Sequence, residues 1–397
     1  MPWMPSREQL DRAQVGFLNS EFENRNNRSN TWVVGYAGSG KTVLLVHLLQ
    51  MLKEDSDRNH LHKTFGVVAF TRALGDLFRT GFRELGITGV PIMTQFELRR
   101  NPQHFDYIFC DEIQDMSPET LSLIKSSGTK VISAGDSNQS IFGKDLMTDT
   151  PTVRGDQPVA VLGATKKELN IIYRLTRSII EAVKQLMPHM ARNWTAREDL
   201  THEDVVISLR KCISRDSECD YVYSDAKRCV ERGERTAILF PHHTDILDFV
   251  NHVLESNGKN AWREQQNRYG RPDYSILNSY LSRQGIPIMY VGNNYGSLYE
   301  AQQNNKIIVM TYSSSKGLDF ENVYMPFVNR GLFITQDADL DRATFMVAMT
   351  RSSKILTISY TGLPSEYVNT FRDGCYFIDE SLQQGNNNED DDDDDIF

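Results

Sequence analysis

The stretch TWVVGYAGSGKTVLLVHLLQ, residues 31–50, decides the fold. Trp32, Val33 and Val34 form a short apolar run of the kind that becomes a buried strand. Leu44, Leu45, Leu48 and Leu49 recur at the spacing of one helix face. Between strand and helix, Gly35, Gly38, Gly40, Lys41 and Thr42 fit the pattern G-x-x-x-x-G-K-S/T. Glycine lets the backbone curl so that its N–H groups face phosphate oxygens. The helix start adds a positive dipole end, Lys41 is long enough to reach the β and γ phosphates, and the Thr42 hydroxyl suits Mg²⁺. A chance glycine turn would not require a strand before it and a helix after it.

A second stretch, FDYIFCDEIQDMS at 105–117, places acids directly after an apolar run. Asp111 at the strand end is positioned to bind Mg²⁺, directly or through water. Glu112 is positioned to orient or deprotonate an attacking water. Adjacent acids after a strand also occur as solvated loop residues; the phosphate loop upstream favours the metal-nucleotide reading. Gln114 has no role in that minimal chemistry and needs its own explanation.

Working outward, TWVVGY, FGVVAFT, PIMTQ, YIFCDE and KVISAGD read as buried strands, with helical periodicity in KTVLLVHLLQMLKE and ALGDLFRTGFREL. Strand and helix in alternation imply parallel βαβ units. After the Asp- and Thr-rich stretch 144–158 the rhythm restarts with VVISLR, TAILF, IPIMYVG, KIIVMTYS, NVYMPF and ILTISY. The expectation is an α/β chain with domains at 1–155 and 156–380 and an acidic, disordered tail at 381–397. Residues 258–274 interrupt the second rhythm and read as a surface insertion. Its basic balance and its Trp262, Tyr269 and Tyr274 suit either a plain exposed loop or a nucleic-acid contact.

At 397 residues, 40% hydrophobic and 24% charged, the chain has the composition of a globular protein of two or three domains. Seven of the negative charges lie in the last nine residues, which moves the net charge of the remainder from -10 to -3. A local basic groove for nucleic acid is therefore compatible with the total. Five cysteines without a C-x-x-C pair suit neither a disulfide framework nor a zinc site. No signal peptide or membrane span is visible, so a cytoplasmic protein is expected.

The order of motifs is more specific. DEIQD (111–115), GDSNQSIFG (135–143), NIIYRLT (170–176), MTYSSSKGLDF (310–320) and VAMTRSSKILTISY (347–360) follow the phosphate loop. Together they resemble the UvrD/Rep family of superfamily 1 DNA helicases. The resemblance implies two RecA-like P-loop NTPase domains and an ATP-hydrolysing, Mg²⁺-dependent enzyme that moves 3′ to 5′ on single-stranded DNA in repair, replication or defence. It implies that Gln114 couples the nucleotide site to nucleic-acid-binding elements and that Gln139 senses the γ phosphate. In LDRAQ (10–14), Gln14 would read adenine; Tyr173 would stack on the base. Arg174 and Arg351 would be arginine fingers, and Phe70 and Thr71 would grip the strand.

Departures accompany the likeness. Phe142 is the aromatic left where the family's third motif has tyrosine, and the tryptophan and arginine that follow it there are missing. Ser313 and Asp319 stand where the family has His and Glu, as nucleic-acid and nucleotide contacts respectively. The accessory subdomains are missing, which leaves open an ATP-dependent switch or loading subunit without unwinding activity. The acidic end with Ile396 and Phe397 is similar to the tips of bacterial single-strand-binding proteins. It suits a solubilising tail, a segment that recruits a partner protein, or a phosphate mimic lying in the chain's own groove.

Overall fold

The computed structural model describes residues 3–36, 38–136, 140–169, 175–189, 204–266, 272–293, 295–335 and 337–385. Two compact units divide the chain. Of the described residues, the first holds those up to Leu175 together with Lys316–Leu318, and the second holds those from Thr176 to Ser315 and from Asp319 onward.

In the first unit the described strands are β1 (Asn30–Gly35), β2 (Phe65–Ala69), β3 (Ile92–Thr94), β4 (Phe105–Cys110), β5 (Gly128–Gly135) and β6 (Ala164–Leu169). They form one sheet in the order β3-β2-β4-β5-β1-β6, and every described pairing is parallel. Parallel strands need covered faces, which explains the unbroken apolar runs. The helix Lys41–Arg58 buries Leu44, Leu45, Leu48, Leu49 and Leu52 along one stripe. Trp32, Ile108, Val131, Leu121 and Ile124 pack together in one core cluster.

A boundary at 155 falls short. The helix Gln157–Leu162 and β6 lie beyond it, and β6 pairs with β1 from Asn30↔Ala164 to Gly35↔Leu169. The ATKKEL of β6 has no apolar run because it is an edge strand, whose exposed face carries charge.

The second unit holds β7 (Val206–Cys212), β8 (Thr236–Phe240), β9 (Ile288–Tyr290), β10 (Ile307–Thr311), β11 (Phe320–Met325), β12 (Ser352–Thr361) and β13 (Tyr376–Asp379). Their order is β13-β7-β12-β11-β8-β10-β9, again parallel at every described pairing. β13 also escapes sequence reading, being four residues long at an edge. Among the described residues no helix is long and apolar enough to cross a membrane. Cys110, Cys212, Cys219 and Cys229 are buried, and all five thiols are free.

Residues 258–274 are not simply a surface insertion. Trp262 is 6% exposed and Tyr274 4%, and both belong to the second unit's core. Tyr274 stacks on Tyr290 with ring centroids 4.1 Å apart, and the Trp262 backbone N–H donates to Asn251 Oδ1 at 2.8 Å. The aromatics that looked available for bases thus close the core over β9; Tyr269 lies outside the described residues. Trp262→Ala therefore destabilises the second unit by about 3–5 kcal/mol. Urea denaturation followed by far-UV circular dichroism checks this, and an unchanged midpoint contradicts the burial.

Candidate nucleotide site

The site lies at the carboxyl ends of β1, β4 and β5, where open parallel sheets place their ligands. β1 ends at Gly35, and the chain turns through Gly38 and Gly40, with φ of 73° and 80°, into the helix that starts at Lys41. The first N–H groups of that helix have no intrahelical acceptor and form an anion-binding end. Lys41 Nζ donates to Gly35 O at 2.7 Å and Tyr36 O at 3.0 Å, which holds the ammonium over the loop.

Gln14 stands beside the loop. Its backbone N–H donates to Asp11 Oδ1 at 2.8 Å while its Oε1 accepts from the Asp11 N–H at 3.2 Å, capping the helix Arg12–Glu23. A Cβ on Gly40 would lie 2.6 Å from Gln14 Nε2. Glycine is thus required there twice over, by conformation and by contact.

Asp111 follows β4 and is fully buried. Thr42 Oγ1 donates to its Oδ2 at 2.5 Å, and the Glu112 N–H donates to its Oδ1 at 2.8 Å. Burial pushes the Asp111 carboxyl up to about 6, helped by the Glu112 charge, while the Thr42 hydrogen bond and Lys41 pull it down. Two hard oxygen groups, a hydroxyl and a carboxylate, meet here. Mg²⁺ takes one or two carboxylates plus phosphate oxygens and needs no full protein cage. Among the described residues no group of three or more His, Cys, Asp or Glu could hold a metal. Thr42 and Asp111 fit the ion.

Glu112 sits in the left-handed region at φ 57°, which turns the chain sharply after Asp111. Gln114 is fully buried and explains itself here. Its Nε2 donates to Glu112 Oε2, and its Oε1 accepts the Asp136 N–H at 3.0 Å. The glutamine thereby ties the Glu112 carboxylate to the end of β5.

Asp115, also fully buried, accepts from Ser140 Oγ at 3.1 Å and from the Ile141 N–H at 3.2 Å. Lys316 Nζ donates to its Oδ2 and lies 3.7 Å from Glu112 Oε2. Burial raises the Asp115 pKa, opposed by the Lys316 charge. Sequence reasoning passed over Lys316; the signal was the SKGLDF stretch, in which only the flanking Ser313 and Asp319 were weighed.

The remaining candidates are more dispersed. Phe70 is 3% exposed and packs against the partly buried Phe142, ring centroids 5.1 Å apart. The Thr71 hydroxyl accepts the Leu74 N–H at 3.1 Å and so caps the helix Arg72–Glu84. In the second unit Arg351 is 3% exposed, with Nε donating to Val347 O at 2.7 Å and a terminal nitrogen to Thr350 Oγ1 at 2.8 Å. Asp319 lies 4.0 Å from Arg235, and Ser313 Oγ lies 3.3 Å from Thr311 Oγ1 at the end of β10. Gln139, Tyr173, Arg174, Ile396 and Phe397 lie outside the described residues.

Comparison with known proteins agrees with this layout. Residues 20–144 match the AAA domain family, and residues 288–362 match the UvrD-like helicase C-terminal domain family. In this order the two matches support the superfamily 1 helicase class, a class of ATP-hydrolysing enzymes. A search of curated proteins returns no match. Similar solved structures include arterivirus nonstructural protein 10, a helicase, at 14% identity and TM-score 0.42, covering 89% of this chain and 64% of that one. The complex of that arterivirus protein with DNA aligns at 16% identity and TM-score 0.41, covering 89% and 65%. A structure of Pif1 helicases at forked double-stranded DNA aligns at 15% identity and TM-score 0.43, covering 87% and 92%. This chain thus spans less than two thirds of the arterivirus chains' length.

Gly40→Ala tests the loop. The left-handed backbone alone costs about 1–2 kcal/mol for a residue with a Cβ. Nucleotide affinity should fall roughly tenfold or more, read by titration with a fluorescent ATP analogue, while the far-UV spectrum stays unchanged.

Proposed function

We propose that the chain hydrolyses ATP with Mg²⁺ in response to single-stranded DNA and acts as a DNA translocase or helicase. The observation that carries this is the Thr42–Asp111 hydrogen bond at 2.5 Å, with Glu112 next in the chain and Gln114 holding Glu112 to the end of β5. In this reading Lys41 and the loop N–H groups bind the β and γ phosphates. Thr42 and Asp111 hold Mg²⁺, which offsets charge on the phosphate oxygens when bound. Glu112 orients the attacking water and takes its proton. Gln14 reads the adenine edge, giving a preference for ATP or dATP over GTP. Gln139, Tyr173, Arg174, Arg351 and Asp319 complete the nucleotide contacts. Phe70, Thr71, Phe142 and Ser313 serve the nucleic acid, with Phe70 acting through the Phe142 ring it supports. Travel 3′ to 5′, a repair, replication or defence role and a cytoplasmic location belong to the same reading.

One observation favours the second reading, an ATP-dependent switch that binds DNA without unwinding it. Only the short helix Gln95–Arg100 and a brief link separate β3 from β4, which leaves no room for an accessory subdomain there.

Steady-state ATP hydrolysis against a series of single-stranded DNA lengths separates the two. Stimulation that climbs with length and then levels is expected of a translocase; stimulation independent of length assigns the switch. Lys41→Ala should abolish turnover, as should chelation of Mg²⁺ by EDTA. Turnover that survives in the Lys41→Ala protein overturns the site.

A further inference from the structure

We infer that Lys316 is the positioning residue that holds Glu112 for water activation. The inference rests on the ATP-hydrolysis reading and adds to it a residue from a distant part of the chain. Lys316 is 2% exposed, and its ammonium donates to Asp115 and lies 3.7 Å from Glu112 Oε2. The same Glu112 oxygen accepts from Gln114. One carboxylate oxygen is thus held from two sides, by an amide and by a cation, and this fixes how the Glu112 side chain is turned.

The backbone is built for this approach. Gly317 has φ 79°, and a Cβ on it would lie 3.1 Å from Leu74 Cδ1 and 3.6 Å from Glu112 Oε1. The left-handed backbone at Gly317, which favours glycine, turns the chain directly after Lys316 beside Leu74 and Glu112. Lys316–Leu318 group with the first unit, although the residues up to Ser315 and from Asp319 onward group with the second. A buried ammonium beside two carboxylates also compensates charge that burial makes costly, so one lysine serves both Asp115 and Glu112.

A purely structural ion pair would give the same geometry, so the test must separate the two roles. Lys316→Met leaves the buried Asp115 carboxyl without this cation; adding Asp115→Asn replaces that carboxyl with a neutral amide. Four proteins are compared: wild type, K316M, K316R and K316M/D115N. For each, kcat and KM for ATP with saturating single-stranded DNA are measured, together with the thermal midpoint and the affinity for a fluorescent ATP analogue. The expected result is a kcat reduced roughly 10–100-fold in K316M, a part of the roughly 10²–10⁴-fold that a positioned base contributes. Analogue affinity stays within about twofold of wild type, a difference small on the affinity scale. K316R recovers part of the rate, and K316M/D115N recovers the thermal midpoint while its kcat stays low. Recovery of kcat along with the midpoint in the double variant makes Lys316 a structural partner of Asp115 and overturns the inference. An undiminished kcat in K316M overturns it as well, with the function reading intact. Wild-type protein without ATP turnover overturns the reading and the inference together.

Discussion

Carboxylate charge buried at the end of β4 is the constraint on which the site depends. Asp111 and Asp115 are fully covered, and Glu112 lies between them in the chain. Burial raises the pKa of Asp111 and of Asp115, and the neighbouring Glu112 charge raises both further. Each therefore requires partners, and the partners define the site: Thr42 for Asp111, Gln114 and Lys316 for Glu112, Lys316 and Ser140 for Asp115. Residues from four separate stretches converge because three carboxylates need to be satisfied.

The sheet makes that convergence possible. A parallel sheet sends the carboxyl ends of neighbouring strands to one edge, so the phosphate loop after β1, the acids after β4 and Asp136 after β5 emerge together. Order β4-β5-β1 places β5 between the strand that precedes the acids and the strand that precedes the phosphate loop, and Gln114 spans from the β4 side to the Asp136 N–H at the end of β5. One side chain thus touches both Glu112 and the backbone at the end of β5.

Hydrophobic burial does a different task in the second unit. Trp262 and Tyr274 look like surface aromatics in a polar stretch, yet they join Tyr290, Phe249 and Leu277 in the core. Arg263, Glu264, Gln265 and Gln266 beside Trp262 are exposed while two large rings supply the apolar area, so mean polarity hides a core segment. The same limitation concealed β6 and β13. Their ladders are made by the backbone, and one side of an edge strand faces solvent, so neither needs an apolar run.

The sequence by itself determined the α/β class, the phosphate loop, the acidic pair and the eleven strands that carry apolar runs. Each of these is written in local chemistry: glycine where the backbone must curl, apolar runs where strands are buried on both faces, acids after a strand. Tertiary structure alone decided what Gln114 and Lys316 touch, that Phe70 is covered, and that Trp262 belongs to a core. Lys316 and Asp115 are separated by 201 positions, and no periodicity or composition connects them. Their pairing follows from the path of the folded chain past Gly317, which brings a distant cation to charge that burial would otherwise leave costly.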